Sequence, residues 1–282
     1  MTPALVRGRG CPDAGAVAEH GGMGARADRL VVRHDGIRIP VSRSGRGRPL
    51  VLCPGLLTTQ AELGELTELL GRDHDVVTFD LRGHGRTSPA VRYSFEAFLG
   101  DLGAVMAELP RLGWRSAPVL VGHSLGADLV VHHAAEHPDT VAELVLVDGA
   151  NPVPEPFITE AELPEFRAMA ETLASEAERV SLTARDILDL NVEVEAVRAR
   201  ILDRYERIPH PITMIMSTAM AGESRQGRAA WRNRNWRAGV ERLVRERPNV
   251  AVSWLDAGHG LVLSHAQDVA RIIRTSGREA PC

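Results

Sequence analysis

The chain contains no lysine, so all 33 of its basic residues are arginine. Set against 37 acidic residues, they leave a formal net charge of -4. That balance gives no electrostatic reason to expect nucleic acid or an anionic membrane as partner. Together with abundant Ala, Gly, Val and Leu, the missing lysine matches a GC-rich coding bias and carries no functional weight. Cysteine is nearly absent as well. Cys11, Cys53 and Cys282 are odd in number and far apart, which excludes a disulfide framework and a metal-ligand spacing. Cys53 lies in an apolar run and reads as a small buried hydrophobe. A chain of this kind suits a reducing compartment, so a cytoplasmic protein without cofactor is expected. No apolar stretch is long enough to span a bilayer. Residues 1–28 are rich in Gly and Ala and lack the apolar region of a signal peptide, so they read as a disordered arm or an overlong start.

What is present is a chain of 282 residues, 44% hydrophobic and 25% charged. That suits one large domain, or one domain carrying an insertion, with a core that needs no staples. RLVVRHDG (29–36) and IRIPVSRSG (37–45) are β-branched runs broken at Asp35-Gly36, a hairpin signature. RPLVLCPG (48–55), HDVVTFDLRGHG (74–85), APVLVG (117–122) and ELVLVDGA (143–150) are apolar runs of the kind buried on both faces. Between them, 61–71, 94–109 and 124–138 carry helical spacing. Strands alternating with helices predict βαβ units and a mostly parallel sheet covered on both sides.

The alternation stops at the proline-rich NPVPEPF (151–157), and residues 158–207 read as helices only. PHPITMIMS (209–217) restarts the sheet. A helix at 236–247, a strand at 250–256 and a closing helix at 261–276 follow. The organisation expected is a core of 29–151 and 208–282 with a helical lid at 152–207.

One stretch concentrates chemistry. VLVGHSLGAD (119–128) sets Ser124 between two glycines, where an apolar strand ends and a helical pattern begins. A G-x-S-x-G turn between strand and helix strains the middle residue and exposes its hydroxyl at the sheet edge, beside a helix N-terminus. The alternative reading of Ser124 is an ordinary helix N-cap.

Four ordered features resemble the α/β-hydrolase family over about residues 30–276. They are PGLLTT (54–59) after the third strand, DLRGHGRTS (80–88) after the next, GHSLG (122–126), and AGHGLVLSHAQDVARII (257–273) near the end. The resemblance implies an α/β-hydrolase fold with Ser124 as nucleophile and His259 as general base. It implies an oxyanion hole from the backbone amides of Leu56 and Leu125. His123 and His84 read as structural. The family's acid commonly follows the strand that 211–217 resembles, but STAMAGES (217–224) has no aspartate. Asp148, after the preceding strand, is the first choice. Glu223 is the alternative, and a dyad without a carboxylate is a third.

The function this implies is a serine hydrolase cleaving a small or medium ester, lactone or thioester through an acyl-enzyme. The alternatives are a carbon–carbon bond hydrolase, a non-hydrolytic enzyme on the same triad, or a non-catalytic binding protein on the scaffold. Phe157, Phe166, Met169, Leu173 and Leu182 are candidates for an apolar substrate pocket. The arginine-rich stretch 223–247, interleaved with Trp231 and Trp236, fits either a solvated helix face or a docking site for an acidic partner such as an acyl carrier protein.

Overall fold

The computed structural model describes residues 29–276, so the arm at 1–28, with Cys11, and the terminal Cys282 lie outside the described residues. The described residues form eight strands: β1 (Arg29–His34), β2 (Ile37–Gly45), β3 (Arg48–Cys53), β4 (His74–Phe79), β5 (Val119–His123), β6 (Glu143–Val147), β7 (Ile212–Ala219) and β8 (Val250–Gly258). They form one sheet in the order β1-β2-β4-β3-β5-β6-β7-β8. β2 runs antiparallel to both β1 and β4, and every other pair is parallel. The turn joining β1 to β2 places Asp35 at φ 48° and Gly36 at φ 74°, the left-handed pair that a tight hairpin needs.

The apolar runs are explained by two core layers, one on each face. Along β3, Leu50 and Leu52 face one layer while Val51 and Cys53 face the other. β5 divides the same way, with Val119 and Val121 opposite Leu120, and β6 sets Val145 and Val147 opposite Leu144 and Leu146. A strand buried on both sides cannot alternate with polar residues, which is why its sequence is continuously apolar. One layer is closed by α1 (Gly64–Leu70) and the last two helices, α8 (Leu261–Ser264) and α9 (Ala266–Thr275). The other is closed by α2 (Phe95–Glu108), α3 (Leu125–Glu136) and α7 (Gly227–Glu246).

Between β6 and β7 lie α4 (Leu163–Glu176), α5 (Ala184–Arg198) and α6 (Ile201–Tyr205). α5 starts with a capping box in which Thr183 and Asp186 exchange hydrogen bonds. Polar contacts tie this segment to the core. Arg198 grips Asp128 of α3 with Nε and Nη2 at 2.9 and 2.6 Å. Tyr205 Oη donates to the Ala150 carbonyl at 2.7 Å, and Glu193 accepts from the Phe95 amide at 2.9 Å.

Two elements differ from expectation. The single closing helix is two, because His265 leaves helical geometry at φ -130°. α7 begins at Gly227 rather than at 236. Its first turns are dominated by arginine and asparagine, so the apolar stripe is too thin to read until Trp236, Val240 and Leu243 are reached. The stretch 223–247 is therefore not a uniformly solvated face: Ala230, Asn235, Trp236, Gly239, Val240 and Leu243 are buried. No helix among the described residues is long and apolar enough to cross a membrane.

Candidate active site

The parallel register of β5, β6 and β7 brings three strand ends together. His123 pairs with Val147, and Val147 with Ile215. The next residues therefore emerge side by side: the Ser124 amide donates to the Val147 carbonyl and the Asp148 amide to the Ile215 carbonyl, both at 2.9 Å. Ser124 has φ 51° and makes no side-chain cap to α3, which removes the simple N-cap reading. Positive φ is strained for a serine and serves to swing its hydroxyl off the strand. The flanking glycines are required by proximity. A Cβ at Gly122 would meet the Gly126 carbonyl oxygen at 2.4 Å, and one at Gly126 would meet the Cys53 carbonyl oxygen at 2.4 Å.

His259 follows β8 and joins two of these residues. Its Nε2 lies 2.8 Å from Ser124 Oγ and its Nδ1 lies 2.8 Å from Asp148 Oδ2. A carboxylate only accepts, so Nδ1 carries the hydrogen and Nε2 faces the serine hydroxyl as its acceptor. The ring is partly open to solvent, at 41% side-chain exposure, while Asp148 is fully buried.

Asp148 accepts more than the histidine. Ser217 donates its amide at 2.9 Å and its hydroxyl at 2.7 Å, and Trp236 Nε1 donates at 3.1 Å. Burial alone would raise this carboxyl's pKa. The bonds and charge of His259 and the two Ser217 donors outweigh it and hold Asp148 below the usual carboxylate range. Glu223 is exposed and does not join the cluster; His259 Nδ1 is taken by Asp148. Ser217, in the stretch where an aspartate was sought, is instead a donor to Asp148.

Two histidines of the motifs shape the surroundings. The buried His84 donates from Nδ1 to the Arg82 carbonyl at 2.9 Å, and its Nε2 accepts the Leu57 amide at 3.0 Å. It thereby fixes the 54–59 loop, where Leu57 sits at φ 63°. His123 donates from Nε2 to the His259 carbonyl at 3.2 Å. Burial, with His259 nearby, lowers the His123 pKa to about 4. The Leu56 and Leu125 amides have no acceptor among the described residues, and both residues line the same cavity as Ser124.

That cavity has a volume of about 560 Å³. Phe157, Phe166, Met169 and Leu173 line it; Leu182 does not, and packs with Ala170 and Ile187 instead. Sequence reasoning missed Glu195, Arg198, Arg232 and Trp236 in its wall. The four-residue spacing of Arg232 and Trp236 on one helix was the available signal. No group of three or more His, Cys, Asp or Glu side chains placed to hold a metal ion occurs among the described residues.

The model of the family described as "alpha/beta hydrolase fold" matches residues 48–189, just over half the chain, and the chain belongs to that family. Among curated proteins it is similar to the N-formylmaleamate deformylase of Pseudomonas putida, 34% identical over 120 residues, which is 42% of this chain and 43% of that protein. It is also similar to the 2-(acetamidomethylene)succinate hydrolase of Mesorhizobium japonicum, 28% identical over 174 residues, or 61% of this chain and 54% of that one. The matched stretch thus spans about half the length of these curated relatives. Among solved structures, the esterase of Thermogutta terrifontis superposes with a TM-score of 0.67 at 19% identity, covering 90% of this chain and 99% of the other. That likeness shows the fold.

Proposed function

We propose that the chain is a serine hydrolase in which Ser124, His259 and Asp148 form the catalytic triad. It would cleave a small or medium ester, lactone or thioester through an acyl-enzyme. The observation that carries this reading is the continuous chain of hydrogen bonds from Ser124 Oγ through the His259 ring to Asp148, both links at 2.8 Å.

A serine hydroxyl is a poor nucleophile until a base takes its proton. In this reading His259 Nε2 accepts the proton as Oγ attacks the carbonyl carbon. Asp148 holds the ring in the required tautomer and stabilises the imidazolium without being protonated itself. The tetrahedral oxyanion is received by the Leu56 and Leu125 amides, each such donor typically worth about 3 kcal/mol. His259 then protonates the leaving group, and water repeats the cycle on the acyl-enzyme.

The helices α4 and α5 act as a lid whose residues, with Phe157, wall off the substrate. A cavity of about 560 Å³ suits a compact molecule rather than a polymer. The names of the relatives, a deformylase and a succinate-derivative hydrolase, support hydrolysis as the reaction class.

Intact-mass labelling with a fluorophosphonate tests the reading. Wild type should take one label rapidly, Ser124→Ala none, and Asp148→Asn should label far more slowly, while Glu223→Gln labels as wild type does. A folded wild-type protein that takes no label would sink the proposal.

A further inference from the structure

Among the described residues, three arginines grip a carboxylate with the same edge of the guanidinium, the one formed by Nε and Nη2. Arg43 holds Asp75 this way at 2.8 and 2.6 Å, Arg82 holds Asp101 at 2.7 and 2.8 Å, and Arg198 holds Asp128 at 2.9 and 2.6 Å. These two N–H groups point the same way at a spacing that matches the two oxygens of one carboxylate. Arg232 keeps the same edge covered and without an acceptor. Its Nε and Nη2 are buried and have no acceptor among the described residues. Only Nη1 is engaged, donating to Glu165 at 2.7 Å.

The environment makes that edge unusual. The Arg232 side chain is 14% exposed, whereas its partner Glu165 is 55% exposed and faces outward. The guanidinium carbon lies 4.9 Å over the ring of Phe166, which steadies its plane but supplies no lone pairs for two N–H donors. Buried donors without acceptors are costly and rare, and in a cavity wall they point to what the cavity receives.

The other ionisable groups of that wall are answered. Arg198 is closed on Asp128, and Glu195 accepts the Phe157 amide at 2.9 Å. His259 is committed to Asp148 and Ser124. Among the described residues Glu165 bonds to Arg232 and Glu162 lies close enough to act on its charge, yet neither carboxylate takes the Nε–Nη2 edge.

Its position relative to the reacting groups follows from helix geometry. Trp236 donates to Asp148, and Arg232 lies four residues earlier on α7, on the same face and about 6 Å further along the axis. Arg232 and Ser124 both line the one cavity.

We propose that the substrate carries a carboxylate that takes the acceptor-less Nε–Nη2 edge of Arg232, displacing the atoms that now cover it, while its scissile acyl group meets Ser124. This substrate class rests on the serine-hydrolase reading of the same cavity. The reaction is hydrolysis of a carboxylate-bearing acyl compound, with the acid end serving only to position it.

The test compares two substrates of nearly equal shape: mono-4-nitrophenyl glutarate, with a free carboxylate, and its methyl ester. Wild type should favour the acid in kcat/KM by about 10- to 100-fold, the range for a hydrogen-bonded charged pair. Arg232→Met should collapse that ratio. Arg232→Lys, which keeps the charge and loses the fork, should lose most of it and serves if the methionine variant folds poorly. A wild type that labels with fluorophosphonate yet shows no preference for the acid overturns the carboxylate site and leaves the hydrolase reading standing, as does a preference that survives both variants. If wild type does not label, the hydrolase reading falls and calorimetric titration with glutarate decides the site. Binding lost in Arg232→Met supports it, and no saturable binding to wild type overturns it.

Discussion

Strands β5 and β6, which deliver Ser124 and Asp148, have every residue buried. Over the same cavity, α4 buries only Ala170, and α5 buries Ile187, Leu190 and Val194. The floor of the site is set by apolar burial on both faces of a sheet, where the contribution is cumulative and no single contact decides. The roof is set by a few directional bonds: Arg198 to Asp128, Tyr205 to Ala150, Glu193 to the Phe95 amide. In the proposed reading the reacting groups stand on the buried floor, while Phe166, Met169 and Leu173 of α4 line the cavity from the roof and Arg232 lines it from α7.

The contrast is sharpened first by Ser124→Ala. Turnover of an activated ester should fall by about 10^4- to 10^6-fold, while the urea midpoint moves little because the floor is untouched. A large stability loss in this variant would show that the strained serine itself helps hold the strand ends. Next comes the roof. Arg198→Met leaves Asp128 buried and unpaired, and should cost about 3–5 kcal/mol in urea denaturation. Replacing both partners by apolar residues of similar volume should recover most of that loss, and failure to recover would mean that the pair is more than an anchor.

The floor carries its own pH sensitivity. Burial lowers the pKa of His123 and of His133 to about 4. Between the unfolded-state value near 6.5 and about 4 the unfolded chain binds protons that the fold refuses, so stability falls as pH falls through that window. Urea midpoints at pH 7, 5.5 and 4.5 should decline stepwise, and His133→Gln should flatten the slope. An unchanged slope would assign the sensitivity to other groups. The smallest effect expected is Tyr205→Phe, which removes one buried bond and should cost about 1 kcal/mol. A loss of several kcal/mol would make the roof far more dependent on that one bond than its other anchors suggest.

Legibility in the sequence follows the same division. The sheet was readable because a doubly buried strand must be apolar throughout, and Ser124 was readable because its strand, turn and helix are contiguous in the chain. Asp148 remained one of two candidate acids because its relation to His259 depends on register across β6, β7 and β8, which no local pattern encodes. The roles of His84 and His123, one fixing the Leu57 amide and the other the His259 carbonyl, are likewise visible only in space. The inward turn of Arg232 and Trp236 was hidden by composition: among the many arginines of α7, the one that lines the cavity is distinguished only by helical phase.

The neighbouring strand ends of β6 and β7 hold a carboxylate and a hydroxyl that bond to each other, Asp148 and Ser217 at 2.7 Å. In the proposed triad the hydroxyl works as a doorstop: Asp148 cannot swing away from His259 without first breaking the two bonds that Ser217 donates to it.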